Sequence, residues 1–336
     1  MQTTTTTPTL RDNLGREINY VRLAVTDRCN LNCRYCQPKS ACNETRSELL
    51  SYEELERLTR LLVGMGISKV RITGGEPLVR HGMLDFLKRL RDIPGLHQLA
   101  LTTNATLLRS HLPALRQLRL SGLNISLDTL VPERFLQITG QDMLAEVLSV
   151  IEAALAAQIP LKINAVVQEG INTDELVDLA RLAQSRPVQV RFIEPMPFDG
   201  GNGFVAGNWN LERLREHFQQ QLPALRETPV PGSTAQVFQV EGFKGSIGLI
   251  GGFSRCFCAT CNKIRVTPQG MMKTCLYDGG VLDLKESLRS PASDGEIAEM
   301  IRECLGKRHP DGFAADSMRR AGGLAGGCAS MATIGG

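Results

Sequence analysis

Two sets of three cysteines are the residues best suited to chemistry in this chain of 336 residues and ten cysteines. Cys29, Cys33 and Cys36 form a C-x3-C-x2-C set, and Cys258, Cys261 and Cys275 form a C-x2-C-x13-C set. A closed structural metal site has four ligands, so three thiols hold a cluster or a metal with one position left open for reaction. Zinc is the alternative for both sets. At the front, Cys42 is the only local fourth thiol and no histidine lies nearby. At the back, Cys256 stands two residues before Cys258, so a four-thiol zinc site stays open there.

The bulk composition narrows the setting. A net charge of +3 is too small to mark nucleic acid or an anionic membrane as the partner, so any important cationic character must be local. No apolar run reaches spanning length. Residues 1–9 are mostly threonine, lack a basic and apolar signal, and read as a disordered leader. A reducing compartment, most simply the cytoplasm, suits thiols that bind metal rather than pair as disulfides.

Elements must position these thiols. β-rich runs fall at 20–26, 69–73, 98–102, 123–127, 161–167 and 188–193. Helical stretches lie between them at 51–63, 84–91, 109–118, 143–157 and 173–183, the first opened by a Ser51/Glu54 capping box. This alternation predicts an α/β fold with a parallel sheet and right-handed crossovers. Six units fall short of the eight of a closed barrel, so a partial (β/α)6 barrel over 10–194 is expected. Pro195, Pro197 and the Gly-rich 199–203 then break the pattern. A helix at 211–219, strands at 236–240 and 247–250, and the back cysteines predict a smaller C-terminal α+β element over 195–320 that closes the barrel mouth. Residues 321–336 read as a flexible Gly-rich tail.

The strands are not uniformly apolar, as covered parallel strands usually are. Arg22, Arg71, Asn124, Ser126, Lys162, Asn164 and Arg191 alternate with aliphatic residues and share one face. Buried unpaired charges are costly, so this face is either a wet sheet surface or a lumen for an anionic small molecule; interleaved helices favour the lumen. Lys263 and Arg265, alternating about Ile264, extend the positive charge toward the back thiols.

The front set directly follows a strand and so resembles the radical S-adenosylmethionine (SAM) superfamily, whose three cysteines hold a [4Fe–4S] cluster. Thr73-Gly74-Gly75-Glu76-Pro77 resembles that superfamily's loop for the SAM amino group, and Tyr35 the aromatic beside the adenine. YVRLAVTDRCNLNCRYC, VRITGGEP, LTTNA, NISLDTL, ITGQD, LKINAVV, VRFIEPMP, FCATCNKIRV, CLYDGG and a terminal IGG together resemble the GTP 3′,8-cyclase family over nearly the whole chain.

The resemblance implies two [4Fe–4S] clusters, on Cys29, Cys33 and Cys36 and on Cys258, Cys261 and Cys275. It implies SAM contacts at Tyr35, Gly75, Ser126 and Met196. It implies GTP contacts at Arg22, Arg71, Thr102, Lys162, Lys263, Ile264 and Arg265, with Arg265 catalytic. The implied reaction turns GTP into (8S)-3′,8-cyclo-7,8-dihydroguanosine 5′-triphosphate, the first step of molybdenum cofactor synthesis. An electron donor such as a flavodoxin or ferredoxin, a downstream pyranopterin monophosphate synthase and a homodimer are implied partners. The terminal Gly335-Gly336 is implied to enter the active-site region. Three positions depart from the family pattern: Gln37 for an apolar residue, Ala105 for glycine and Lys263 for arginine. A radical SAM enzyme that modifies a peptide or another small molecule, with an auxiliary cluster, is the alternative. Cys42, Cys304 and Cys328 read as ordinary thiols, Trp209 as packing, and no histidine has ligand spacing.

Overall fold

Strand–helix alternation produces the first two thirds of the fold in this computed structural model, which describes residues 9–36, 47–196, 208–321 and 331–334. The repeats are β1 (Tyr20–Ala24), α1 (Tyr52–Gly64), β2 (Lys69–Thr73), α2 (Met83–Arg91), β3 (Gln98–Thr103), α3 (Leu112–Gln117), β4 (Gly122–Ser126), α4 (Pro132–Thr139), α5 (Leu144–Ala156), β5 (Leu161–Val166), α6 (Leu176–Ser185) and β6 (Gln189–Ile193). The predicted capping box opens α1: Ser51 accepts from the Glu54 N–H, and the Glu54 carboxylate accepts from the Ser51 N–H.

The smaller C-terminal element continues the same sheet rather than standing apart from it. It comprises α7 (Leu211–Gln221), β7 (Leu225–Glu227), β8 (Gln236–Val240), β9 (Ser246–Ile250), β10 (Lys263–Val266), β11 (Met271–Lys273), β12 (Leu282–Asp283), α8 (Leu284–Arg289), α9 (Asp294–Leu305), α10 (Gly312–Ala321) and α11 (Met331–Ile334). The strand order is β12-β11-β10-β1-β2-β3-β4-β5-β6-β9-β8-β7. β10 pairs in parallel with β1, and β9 in parallel with β6. The sheet is therefore an unclosed barrel whose two edges both come from the last third of the chain.

Several elements were not among the sequence expectations, α4 in the barrel half and β7, β10–β12 and α8–α11 in the C-terminal part. α4 spans Pro132–Thr139 between the caps Val131 and Gly140, where the sequence analysis assigned no element. Proline is favourable at the first helical position, and Gly140 adopts the left-handed C-cap conformation at φ 74°. The helix predicted at 109–118 starts late for a related reason: a short 3-10 turn occupies Arg109–His111, and proline lies near the start of α3.

The outer face of the strands builds the main core. Val21, Leu23, Val70, Ile72, Leu99, Leu101, Leu123, Ile125, Ile163, Val190, Phe192 and Val266 are buried there against the helices. Ile264 belongs to this set and is 1% exposed. Its side chain packs into the core, so the GTP contact expected at Ile264 can come only from its backbone.

Candidate active site

Strand register stacks the inward residues into tiers. Lys263, Tyr20, Lys69 and Gln98 pair across β10, β1, β2 and β3. Arg265, Arg22, Arg71, Ala100 and Gly122 form the next tier. Further round, Thr102, Asn124, Lys162 and Gln189 align, followed by Ser126, Asn164, Arg191 and Gly248. Arg22, Lys69, Arg71, Lys162, Arg191, Lys263 and Arg265 all line one cavity of about 470 Å³. The lumen expected from the alternation is present and the sheet's inner face is not a wet surface.

A small residue makes room for Arg191, whereas Gly122 leaves Arg71 at ordinary contact distance. A Cβ on Gly248 would lie 3.0 Å from the Arg191 Cγ, and one on Gly122 would lie 3.9 Å from an Arg71 terminal nitrogen. Arg71 is fixed by its Nε–H to the Tyr20 hydroxyl at 2.7 Å and by Nη1 to the Leu101 carbonyl at 3.1 Å. Arg191 donates to Gln189 Oε1 at 2.6 Å.

The front thiols sit past the C-terminal end of β1. Cys29, Cys33 and Cys36 are half-buried and line the cavity with Tyr35, Gly75, Ser126 and Met196. Tyr35 donates its hydroxyl to Asp128 at 2.7 Å, and Asp128 also accepts from the Val166 N–H, which ties the thiol loop to β4 and β5. Cys29 Sγ faces the Leu31 N–H at 3.4 Å and the Asn104 amide at 3.6 Å. A Cβ on Gly74 would strike the Thr26 carbonyl, and one on Gly75 the Arg28 carbonyl. These glycines therefore let the loop press against residues 26–28 of its own chain. Glu76 then gathers the Leu78 and Asn104 N–H groups and the Thr103 hydroxyl, fixing the end of β3.

The back thiols occupy the opposite end. Cys261 lies two residues before β10, which runs parallel to β1, and Cys275 lies two residues after the antiparallel β11. Both therefore stand at the N-terminal end of β1, roughly 16 Å of strand from its other end. Cys258, Cys261 and Cys275 line the cavity. Cys261 Sγ accepts from Arg308 Nη2 at 3.1 Å, and Cys275 Sγ faces the Tyr277 N–H at 3.5 Å. Cys256 is exposed, with its thiol near the Ser254 carbonyl at 3.7 Å. Exposure sets Cys256 apart from the back trio, which spacing alone could not do.

Crowding of like charge perturbs the lumen. Burial, then Arg265, lowers Arg22 to about 9. Burial, then Arg191 and Arg71, lowers Lys162 to about 8. Burial works to raise the Tyr20 phenol, yet Arg71, Arg22 and Lys69 outweigh it and bring it down to about 7. Burial also works to raise Cys261, and Arg308 and Lys263 hold it below the ordinary thiol value. Burial raises Asp128 to about 6.

The lumen suits anionic and polar occupants. Besides its cations, Thr73 Oγ1, Asn124 Oδ1 and Asn164 Oδ1 are buried without a hydrogen-bond partner among the described residues, and all three residues line the cavity. Each cysteine set presents half-buried thiols with N–H donors beside sulfur, the surroundings that suit iron–sulfur clusters. Among the described residues no three His, Cys, Asp or Glu side chains are arranged to hold a single metal ion.

An unclosed barrel of parallel strands with three cysteines after β1 defines a radical SAM protein. The radical SAM superfamily profile matches residues 23–183, and that of Molybdenum Cofactor Synthesis C matches residues 188–313. The chain is 40% identical over 299 residues to the GTP 3′,8-cyclase of Clostridium perfringens (strain SM101 / Type A), covering 88% of this chain and 92% of that one. It belongs to the GTP 3′,8-cyclase family. It is also 39% identical over 302 residues to molybdenum cofactor biosynthesis protein 1 of Bos taurus. That alignment covers 89% of this chain, which spans only 48% of that relative's length. The crystal structure of Streptococcus suis SuiB shares the fold at a TM-score of 0.59 and 16% identity, over 84% of this chain and 68% of that one. No helix among the described residues is long and apolar enough to cross a membrane.

Cys42, Cys328, Gln37, Pro197 and the terminal Gly335-Gly336 lie outside the described residues. Ile264 is the one GTP-site candidate whose side chain leaves the lumen. Tyr20 and Lys69, absent from the candidates, enter it. Each lies two residues before a recognised lumen arginine, so the period-two pattern could have found them.

Proposed function

We propose that this chain cyclises GTP to (8S)-3′,8-cyclo-7,8-dihydroguanosine 5′-triphosphate, the first step of molybdenum cofactor synthesis. The observation that carries the proposal is one lumen with three thiols at each end and a cationic stretch of strand between. Cys29, Cys33 and Cys36 would hold one [4Fe–4S] cluster beside SAM, and Cys258, Cys261 and Cys275 a second. Bound together, the front cluster and SAM supply the one-electron chemistry that begins with hydrogen abstraction.

The chain's own residues bind and orient. Tyr35, Gly75, Ser126 and Met196 contact SAM at the front end. Arg22, Arg71, Lys162, Lys263 and Arg265 neutralise the triphosphate through charge-assisted hydrogen bonds, and Thr102 contributes a hydroxyl. Arg265 contacts the substrate next to the back thiols and is the catalytic candidate. The Ile264 backbone completes that edge. Orientation matters because misplacing reacting atoms by about 1 Å costs on the order of 10²-fold in rate. Enclosure in the lumen keeps water from the reacting centre. This many lumen cations suit a polyanion such as a nucleoside triphosphate, which favours this reading over peptide modification. A flavodoxin or ferredoxin donor, a downstream pyranopterin monophosphate synthase, a homodimer and a cytoplasmic setting complete the proposal.

Anaerobic incubation with SAM, reductant and GTP, followed by mass analysis of the nucleotide, tests it. A cyclised triphosphate is expected. Recovery of unchanged GTP alongside cleaved SAM would overturn the assignment.

A further inference from the structure

Beside the back thiols lies a buried charge cluster whose two arginines, Arg16 and Arg308, line the same cavity but are engaged by protein oxygens and sulfur. Residues 10–18 form a tight hairpin, closed by the Arg11–Glu17 bridge and by the Ile18 N–H on the Leu10 carbonyl at 2.8 Å. The Asp12 side chain at its turn is fully buried. It accepts from the Leu14 and Arg16 N–H groups at 3.0 and 2.9 Å, from Arg16 Nε at 2.6 Å and from Arg308 Nη1 at 3.1 Å.

The two guanidiniums that share this carboxylate each reach one cysteine of the C-x2-C pair. Arg16 Nη1 donates to the Cys258 carbonyl at 2.9 Å, and its neighbouring bonds go to the Pro310 and His309 carbonyls. Arg308 donates through Nη1 to the Cys261 carbonyl at 3.1 Å and through Nη2 to the Cys261 sulfur at 3.1 Å and the Lys263 carbonyl at 3.2 Å. The Arg308 side chain is only 3% exposed, so its charge is poorly screened by solvent.

We infer that Arg308, aimed by Asp12, is a positioning residue that sets the reduction potential of the back cluster. The inference rests on the two-cluster reading above. A cation donating N–H to a ligand sulfur stabilises the added electron and raises the potential, because hydrogen bonds and net charge at sulfur are the protein's main controls on such clusters. Asp12 offsets part of that charge and fixes the fork so that one terminal nitrogen meets sulfur. Arg16 lacks a sulfur contact of this kind and serves to anchor the hairpin to Cys258.

The test is an EPR-monitored redox titration of reconstituted protein with an iron count. It is run on the full chain and, to read the back cluster alone, with Cys29, Cys33 and Cys36 replaced by alanine. Arg308→Gln is expected to move the back cluster's midpoint to more negative potential and leave the front cluster's midpoint unchanged. Arg308→Lys keeps the charge without the fork and is expected to fall between. Asp12→Asn keeps a side-chain oxygen to hold the fork while removing the offsetting negative charge, and is expected to move the midpoint the other way. Unchanged back-cluster midpoints in Arg308→Gln overturn the inference. If Arg308→Gln does not retain its back cluster, an unchanged midpoint in Asp12→Asn overturns it instead. About eight irons per wild-type chain with unshifted variants sinks the inference alone, whereas about four irons sinks the two-cluster reading and takes the inference with it.

Discussion

Arg71 donates its Nε–H to the Tyr20 hydroxyl at 2.7 Å, so a phenol from β1 aims a cation from β2 into the lumen. The Tyr20 ring also lies near the ammonium groups of Lys69 and Lys263, at 4.8 and 5.5 Å from the ring centroid. Tyr20→Phe keeps the ring and removes only the hydroxyl. We expect the fold to survive and GTP affinity to fall about five- to tenfold, in line with about 1–1.4 kcal/mol for a lost hydrogen bond. Calorimetric titration with GTP checks this, and SAM affinity serves as the control that should not move.

Lys162 gives the lumen a pH dependence. Its ammonium is charged below about pH 8 and neutral above, as burial and then Arg191 and Arg71 dictate. GTP affinity should therefore weaken as pH rises through about 8, and Lys162→Arg should flatten that step. Stability of the empty protein should move the opposite way. Between about 8 and the ordinary value of 10.5 the unfolded chain holds a proton that the folded chain has lost, so stability rises with pH across that window. Paired binding and thermal-melt series across pH 7–10 read both slopes.

Gly248 is expected to be essential for the Arg191 position. A methyl there would stand 3.0 Å from the Arg191 Cγ and 3.2 Å from the Ala235 Cβ. Gly248→Ala should displace the Arg191 side chain by a few tenths of an ångström and reduce GTP turnover by up to about tenfold, with modest loss of stability, on the order of 1–2 kcal/mol for overpacking. Gly248→Val should be worse on both counts. Turnover matching the wild type in both variants would show that the Arg191 position does not matter.

The back thiols should separate cleanly under substitution. Cys258→Ala, Cys261→Ala and Cys275→Ala are each expected to lose about half of the reconstituted iron, and Cys256→Ala none, because the Cys256 thiol is exposed away from the lumen. Iron and sulfide analysis decides it. Equal losses in all four would restore Cys256 as a ligand.

Ala105 carries backbone strain. It has φ 67°, a conformation costing an L-residue with a Cβ about 1 kcal/mol, and it is fully buried after Asn104. Ala105→Gly should leave activity intact and hold or raise the melting temperature. Ala105→Val, with a branched Cβ in the same conformation, should lower stability by about 2 kcal/mol or more.

Much of the lumen was legible because strands alternate with period two. Arg22, Arg71, Lys162 and Arg191 could be assigned to one face from that rule alone, and they line one cavity. The rule also sends Ile264 outward between Lys263 and Arg265, where the structure buries it in the core. Other parts left no local trace. Nothing about Gly248 or Gly122 shows that an arginine will pass over it, since that depends on register between strands far apart in sequence. Asp12 and Arg308 are 296 positions apart, and only the folded chain brings them together. Cys256 and Cys258 are equal candidates by spacing, and exposure separates them.

The chain leaves β9, third strand from one edge of the sheet, at Ile250 and enters β10, third from the other edge, at Lys263, so residues 251–262 carry it across the barrel's open side. Cys258 and Cys261 ride on that crossing, while Cys275 lies beyond it, past β11. A cluster gripping all three would act as a clasp, fastening the crossing segment to the margin it reaches. Oxygen attack at this place would then undo a fastening as well as a redox centre, and the first sign of damage would be protease cutting along the seam.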